Sequence, residues 1–232
     1  KLVADAASFG TDRWDYSARQ TEVCSDLIRH FDGFSVRENS GVGLCQKYLS
    51  AEVEHVLAPT MLLSRDDYEQ LLNESNPYAD RGRYLATYIL DQNKETRACV
   101  EHIAQTMDLE VISLRNENEF NSDLPPSERI AQPVESWLSG LIHAGFVVTD
   151  SFHGSAFSIL LNRPFISCGN AVRGLARFES LFEMFDLKSR LIQRYADLPK
   201  DATFYQQDWT EVNQKLAQLR AKSLGFLKQS LP

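Results

Sequence analysis

This sequence predicts an α/β fold on Rossmann-like parallel sheets, and three observations carry the prediction. Short β-type runs alternate with helix-length amphipathic runs along the chain. Phe146–Thr149 is an apolar run of strand length between two helical stretches, the pattern of a strand buried on both faces. Around it, helix, strand, tight polar turn, helix and strand follow in order. That is a doubly wound arrangement, with its site at the carboxyl ends of the strands.

Each element has its own signal in the sequence. Leu2–Ala7 reads as a strand, and Thr21–Phe31 as a helix with Val23, Leu27, Ile28 and Phe31 on its inner face. Phe34–Arg37 reads as a strand, Ser40–Leu49 as a helix burying Val42, Cys45 and Leu49, and Val53–Leu57 as a strand. Asp66–Leu72 is a short helix. Arg83–Leu90 is a strong strand, followed by a helix from Asn93 to Met107 with Val100, Ile103, Ala104 and Met107 on one stripe. Leu109–Leu114 is a strand, and Arg115–Pro126 is polar and ends in proline, a loop that suits the rim of a site. Pro133 sits at the first position of a helix whose Val134, Trp137, Leu138, Leu141 and Ile142 share one face; Gly145 ends it. After Phe146–Thr149, Ala156–Leu161 is helical, Phe165–Ser167 is a strand and Leu175–Phe185 a helix. Trp209–Leu227 closes the chain as a helix carrying Val212, Leu216, Leu219 and Phe226.

These elements divide the chain. Residues 1–63 hold three strand candidates, the C-terminal part of an incomplete N-terminal Rossmann-like domain. A linker region spans 64–82. Residues 83–200 form a complete Rossmann-like domain, and 208–232 is a helix that packs back toward the first domain. A start at Lys1 rather than Met reads as a processed or cut chain, with no signal peptide at its head.

Composition excludes several function classes. The chain has 232 residues, 43% hydrophobic and 24% charged, an ordinary globular balance. A net charge of -8 disfavours a nucleic-acid surface but leaves room for a local basic pocket. No apolar run approaches the roughly 18–20 residues of a membrane helix. The four cysteines, at 24, 45, 99 and 168, form no CxxC or His-Cys cluster, so no zinc site is expected. They read as small buried hydrophobes in a reducing cytoplasm. The phosphate-binding GxxxxGK[ST] and GxGxxG patterns and the hydrolase G-x-S-x-G are absent from the sequence.

Asp150-Ser151-Phe152-His153-Gly154-Ser155 carries the chemistry. A helix start points its amides at the site and favours an anion. Gly154 allows backbone to approach a ligand closely, and Ser151 and Ser155 offer hydroxyls. His153 can give or take a proton near neutrality. The same residue types also suit a plain helix cap. Arg37, at the end of an apolar strand, suits bidentate binding of carboxylate or phosphate; pairing with Glu38 is the other use for it. His30, His55, His102 and His143 have no ligand spacing and read as surface or cap residues.

The stretch Thr149–Ser158, followed by Asn162-Arg163-Pro164-Phe165, closely resembles the polysaccharide pyruvyl transferase family. Ala6–Gly10, Phe34–Ser40, Pro59-Thr60 with Leu62-Leu63, and Gly174–Phe178 resemble further blocks of it in the same order. The resemblance implies a GT-B-like pair of Rossmann folds that moves pyruvate from phosphoenolpyruvate onto two sugar hydroxyls as a ketal. Exopolysaccharide or cell-envelope biosynthesis would be its setting, in the cytoplasm or at the inner face of the membrane. Phosphoenolpyruvate is the donor substrate, the acceptor is a saccharide or a lipid-linked sugar, and no metal or other cofactor is implied. His153 is the implied acid/base. Arg37 is the implied anion contact; Ser151, Gly154 and Ser155 are the substrate contacts that the turn itself offers, and Arg173, with Arg163 or Arg177, is a candidate to stand in for the family's Arg. Ser151 stands where many members carry Arg, and Ala58 where Asp is usual. Two alternatives remain: a GT-B-like glycosyltransferase using a nucleotide sugar, and a non-catalytic carbohydrate-binding or assembly domain.

Overall fold

The structure, a computed structural model, describes residues 1–72, 76–116, 118–119, 121–169 and 174–231. The first half of the chain runs β1 (Val3–Ala7), α1 (Ala18–Ile28), β2 (Gly33–Val36), α2 (Asn39–Leu44), β3 (Glu54–His55), α3 (Arg65–Glu69), β4 (Tyr84–Tyr88), α4 (Lys94–Met107) and β5 (Glu110–Ser113). It continues as α5 (Val134–Ile142), β6 (Phe146–Thr149), α6 (Phe152–Leu160), β7 (Phe165–Cys168), α7 (Ala176–Phe185), β8 (Leu191–Ile192) and α8 (Thr210–Ser230). The chain is α/β, and the strands form two sheets, parallel throughout.

The chain forms two compact units. The first takes Lys1–Leu62, Asn170–Lys188 and Thr210–Pro232; the second takes Leu63–Gly169 and Ser189–Trp209. This division differs from the one expected of the sequence. Residues 64–82 do not stand apart as a linker: Tyr68 packs edge-on against Phe157 of α6, ring centroids 4.8 Å apart, inside the second unit. Helix α7, expected within 83–200, belongs to the first unit, where Ser180 Oγ accepts the Asn39 amide at 2.8 Å.

In the first unit the sheet order is β1-β2-β3. Ser17 opens α1 with a capping box shared with Gln20, so the helix begins three residues before the expected Thr21. Its inner face is also rotated from the expected one. Val23 and Leu27 are exposed, while Cys24 and Ile28 pack with Val36, Cys45 and Leu49. Beyond α2 the backbone widens into a π-turn over Cys45–Leu49, which keeps Cys45 and Leu49 buried as expected. On α8, Phe226 joins Ala6 and Val56 in a small core, and Ser223 Oγ accepts the Leu57 amide at 3.0 Å.

In the second unit the order is β5-β4-β6-β7-β8, which makes β6 the central strand. All four of its residues are buried, as the apolar run predicts. Leu85, Phe146, Val148 and Ile166 face Ile103 of α4, with Ile192 and Tyr205 closing the same core. Two helix starts differ from expectation. Pro133 is the N-cap of α5, not its first residue, and Val134 is exposed; Leu138, Leu141 and Ile142 carry the buried stripe. Helix α6 begins at Phe152, inside the polar segment expected to be a turn.

Candidate active site

The candidate site of the second unit, the segment that the sequence singles out, lies at the carboxyl end of β6. Thr149 Oγ1 donates to the Tyr88 carbonyl at 2.7 Å and accepts the Ser151 amide at 3.0 Å, tying the exits of β4 and β6 together. Asp150 is buried, and its two carboxylate oxygens accept the amides of Leu90 at 2.6 Å and Asp91 at 2.8 Å. Arg115 grips the same segment from its carbonyl side. Its Nη1 donates to the carbonyls of Ile89 and Leu90 at 3.2 and 2.7 Å, and its Nε to Glu119 at 3.1 Å. The loop after β4 is therefore held by a carboxylate on its donors and a guanidinium on its acceptors.

Helix α6 starts at once. Ser151 is its N-cap, with Oγ accepting the Gly154 amide at 3.4 Å, while the Ser151 carbonyl accepts the Ser155 amide at 3.0 Å. Amides expected to cradle an anion at Gly154 and Ser155 are thus engaged with Ser151, and Ala156 lies inside the helix. Two of the expected contact residues also serve the packing of the fold. Ser155 is fully buried; its hydroxyl bonds the Ser151 carbonyl and Ser167 Oγ, both at 3.1 Å, and joins α6 to β7. Gly154 is buried, and a Cβ there would overlap Thr149 Oγ1. Thr149 of β6 makes a close approach that requires glycine here.

His153 is different. From Phe146 to Leu161 it is the one exposed residue. Its ring stands edge-on to Phe152, centroids 5.5 Å apart, in the first turn of α6. Four of the expected site residues, Ser151, His153, Gly154 and Ser155, share this turn, but His153 alone presents its side chain to solvent.

Arg37 belongs to the first unit, immediately after β2. It is half-buried, and burial pulls its guanidinium below the ordinary arginine range; neighbouring Glu38 opposes the shift and Arg177 adds to it. Glu38 is fully buried, with Oε1 accepting from Ser8 Oγ, the Phe9 amide and the Gly10 amide at 2.9, 2.6 and 2.9 Å. Beside them His55 Nε2 lies 3.3 Å from both the Arg37 carbonyl and Ser180 Oγ. Burial holds the imidazole below its usual pKa, so His55 is part of this packed cluster rather than a surface residue. Arg173 lies outside the described residues, as do Glu117 and Phe120 of the expected loop. Arg163, the cation nearest the motif in sequence, donates to the Ala144 carbonyl at 3.3 Å.

Sequence reasoning passed over the anchors Asp150, Arg115 and Glu38 as site residues. A local signal exists for two of them: an acid within two residues of the end of a central parallel strand has the amides of the neighbouring exit loop within reach. Arg115 carries no such signal, since its partners sit in a different loop. Among the described residues, no group of three His, Cys, Asp or Glu side chains could hold a metal ion, and no helix is long and apolar enough to cross a membrane.

Comparison with known proteins gives one family and several distant folds. The family model described as Polysaccharide pyruvyl transferase matches residues 6–171. No curated protein matches the chain. Among solved structures, the wall teichoic acid polymerase TagF is 12% identical, with a TM-score of 0.43 over 94% of this chain and 57% of that one. The glycotransferase of kitacinnamycin is 16% identical, with a TM-score of 0.43 over 95% of this chain and 64% of that one. The chain therefore spans roughly three-fifths of the length of these structures.

Proposed function

The chain belongs to the polysaccharide pyruvyl transferase family, and from that premise we propose that it takes part in moving pyruvate from phosphoenolpyruvate onto two hydroxyls of a sugar acceptor as a ketal. The observation that carries the reading is His153, the single exposed side chain in a buried strand-and-helix segment, at the carboxyl end of the central strand. His153 delivers a proton to the methylene carbon of the donor, which becomes the methyl group of the ketal. One acceptor hydroxyl adds to the central carbon and loses its proton. Phosphate leaves with its bonding electron pair, and the second hydroxyl closes the ring and gives up its proton in turn. Asp150 and Arg115 position the segment beside His153 by fixing the loop after β4. Arg37 is the proposed anion contact, through the bidentate geometry of a guanidinium. The proposed reaction calls on no cofactor, and its donor places it in the cytoplasm or at the inner face of the membrane, in envelope or exopolysaccharide assembly.

The test is phosphate release from phosphoenolpyruvate with a galactose- or mannose-type acceptor, using the full-length protein. His153→Gln keeps a hydrogen-bonding side chain but cannot shuttle a proton, and turnover should fall roughly 100- to 10,000-fold at unchanged thermal stability. Wild-type turnover in that variant would make His153 a structural residue. Arg37→Ala should weaken phosphoenolpyruvate binding by calorimetry.

One observation favours a second reading. Ser151 is engaged as a helix cap where many members carry a cation, so the turn around His153 offers no guanidinium to a small dianion. A nucleotide-sugar glycosyltransferase needs none at that position. Thermal stabilisation by nucleotide sugars and not by phosphoenolpyruvate would select it.

A further inference from the structure

Two helices of the second unit begin at the carboxyl edge of its sheet, on the face turned away from α4. The Tyr84 hydroxyl donates to the Gly140 carbonyl of α5 at 2.8 Å, which seats α5 over β4. Tyr88 ends β4 on that same face, and its ring stands edge-on to Trp137 in the first turn of α5, centroids 5.4 Å apart. Trp137 also meets Phe157 of α6 edge-on, at 5.0 Å. Phe157 follows His153 by four residues, so the two share one face of α6. A long helical side chain leans back toward the preceding turn, which here is the turn that carries His153. Strands β4 and β6 are neighbours, yet the chain visits β5, on the far side of β4, between them. The strand order therefore reverses between β4 and β6, where open parallel sheets bind their ligands. Tyr88 and Thr149 are paired at that point.

Trp137 differs from the aromatic residues packed behind it. Phe157 and Tyr68 are buried, whereas Trp137 and Tyr88 are half-buried. The indole Nε1 of Trp137 is nevertheless shielded from water and has no hydrogen-bond partner among the described residues. A donor in that state costs free energy until an acceptor is brought to it. We propose that Trp137, with Tyr88 beside it, is the platform on which a pyranose ring of the acceptor lies next to His153, with Nε1 donating to one of its hydroxyl oxygens. The identity of the ligand rests on the transferase reading above. The face of an aromatic ring is negative and the C–H bonds of a sugar are polarised positive, so a pyranose settles on an indole or phenol ring. Its hydroxyls supply the missing acceptor; a purely apolar ligand would leave the indole donor unsatisfied. Tyr88 is held in place from behind, since Arg115 Nη1 bonds the carbonyls of the next two residues, Ile89 and Leu90. Trp137 is thus a positioning residue that sets acceptor affinity, while the proton chemistry stays with His153.

The experiment follows the indole N–H peak of Trp137 in proton–nitrogen correlation spectra of the full-length protein, identified by its loss in Trp137→Phe. Methyl galactoside or methyl mannoside is added without phosphoenolpyruvate. The peak should move downfield and saturate with one of the two sugars. Trp137→Phe keeps a ring and loses the donor, and should weaken binding of that sugar roughly 3- to 10-fold. In the phosphate-release assay the same variant should raise the acceptor KM by that factor, with kcat and the KM for phosphoenolpyruvate held. A peak that stays still with both sugars, or an unchanged acceptor KM in the variant, overturns the proposal. The two readings separate cleanly. A moving peak without phosphate release keeps the sugar platform and removes pyruvyl transfer; a still peak with normal phosphate release does the reverse. If Trp137→Phe fails to fold, the peak is assigned through the backbone and the titration of the unaltered protein decides alone.

Discussion

The strand exits at β2 and β6 use the same device in two different units. In each, an acidic residue just past a parallel strand is buried and accepts two consecutive amides from the loop that leaves the neighbouring strand. Glu38 takes Phe9 and Gly10 after β1; Asp150 takes Leu90 and Asp91 after β4. What surrounds the device differs. After Asp150 comes a side-chain cap and a nine-residue helix that lifts His153 into solvent. At β2 the charged group precedes the acid, as the half-buried Arg37, and the helix that follows has six residues and no side-chain cap. One architecture thus holds its exit loops by the same kind of anchor, with an exposed histidine beside it in one unit and a half-buried arginine in the other. The anchoring belongs to the fold, and the presented group is where the units diverge.

The anchors also differ in how the carboxylate is shared, and this gives the sharpest test. Both oxygens of Asp150 accept amides, so Asp150→Asn must turn an NH2 toward a backbone N–H. We expect a loss of about 3 kcal/mol in urea unfolding, with exchange of the Leu90 or Asp91 amide accelerated. A loss no greater than that of Glu38→Gln would break the comparison. Next in size is Gly154→Ala, whose methyl would overlap Thr149 Oγ1 and should cost about 2 kcal/mol. An unchanged unfolding midpoint would show that β6 and α6 can move apart. In Glu38 a single oxygen, Oε1, takes all three donors. A glutamine carbonyl can replace it, so Glu38→Gln should cost only about 1 kcal/mol, the difference between charged and neutral acceptors.

The smallest effect is a pH dependence beside Glu38. Burial lowers the pKa of His55 in the folded state, with the Arg37 carbonyl partly opposing it and Lys222 adding to it. Below about 6.5 the unfolded chain therefore binds more protons than the folded one, and stability present above that pH is lost as it falls. His55→Gln should flatten this acid limb, read as hydrogen-exchange protection in the first unit between pH 7 and pH 5. An unaltered slope would assign the acid sensitivity elsewhere; His143 in the second unit, also lowered by burial, is the next candidate.

How much of this was legible in the sequence depended on whether the governing contact was local. Strand β6 announced itself because burial on both faces needs an unbroken apolar run. His153 stood out because the residues around it are small or apolar. The start of α6 was misplaced because Asp-Ser-Phe-His-Gly-Ser reads as a turn by composition, whereas Ser151 caps the helix and the rest begin it. Val23, Leu27 and Val134 kept helical spacing yet stay exposed, since periodicity names a face without naming what covers it. The partners of Glu38, Asp150 and Arg115 lie in distant loops, and only the register of the sheets brings them into reach.

The order of assembly follows from the small core of Ala6, Val56 and Phe226. The ribosome adds Phe226 to the chain 170 residues after Val56. At about 5–20 residues per second, roughly 10–30 s of translation separate the two. During that interval the first three strands are outside the tunnel without their closing helix, while nearly all of the second unit is made between them. Vectorial synthesis therefore favours completing the inner unit first, leaving the outer one to wait, exposed to chaperones, for its final turns.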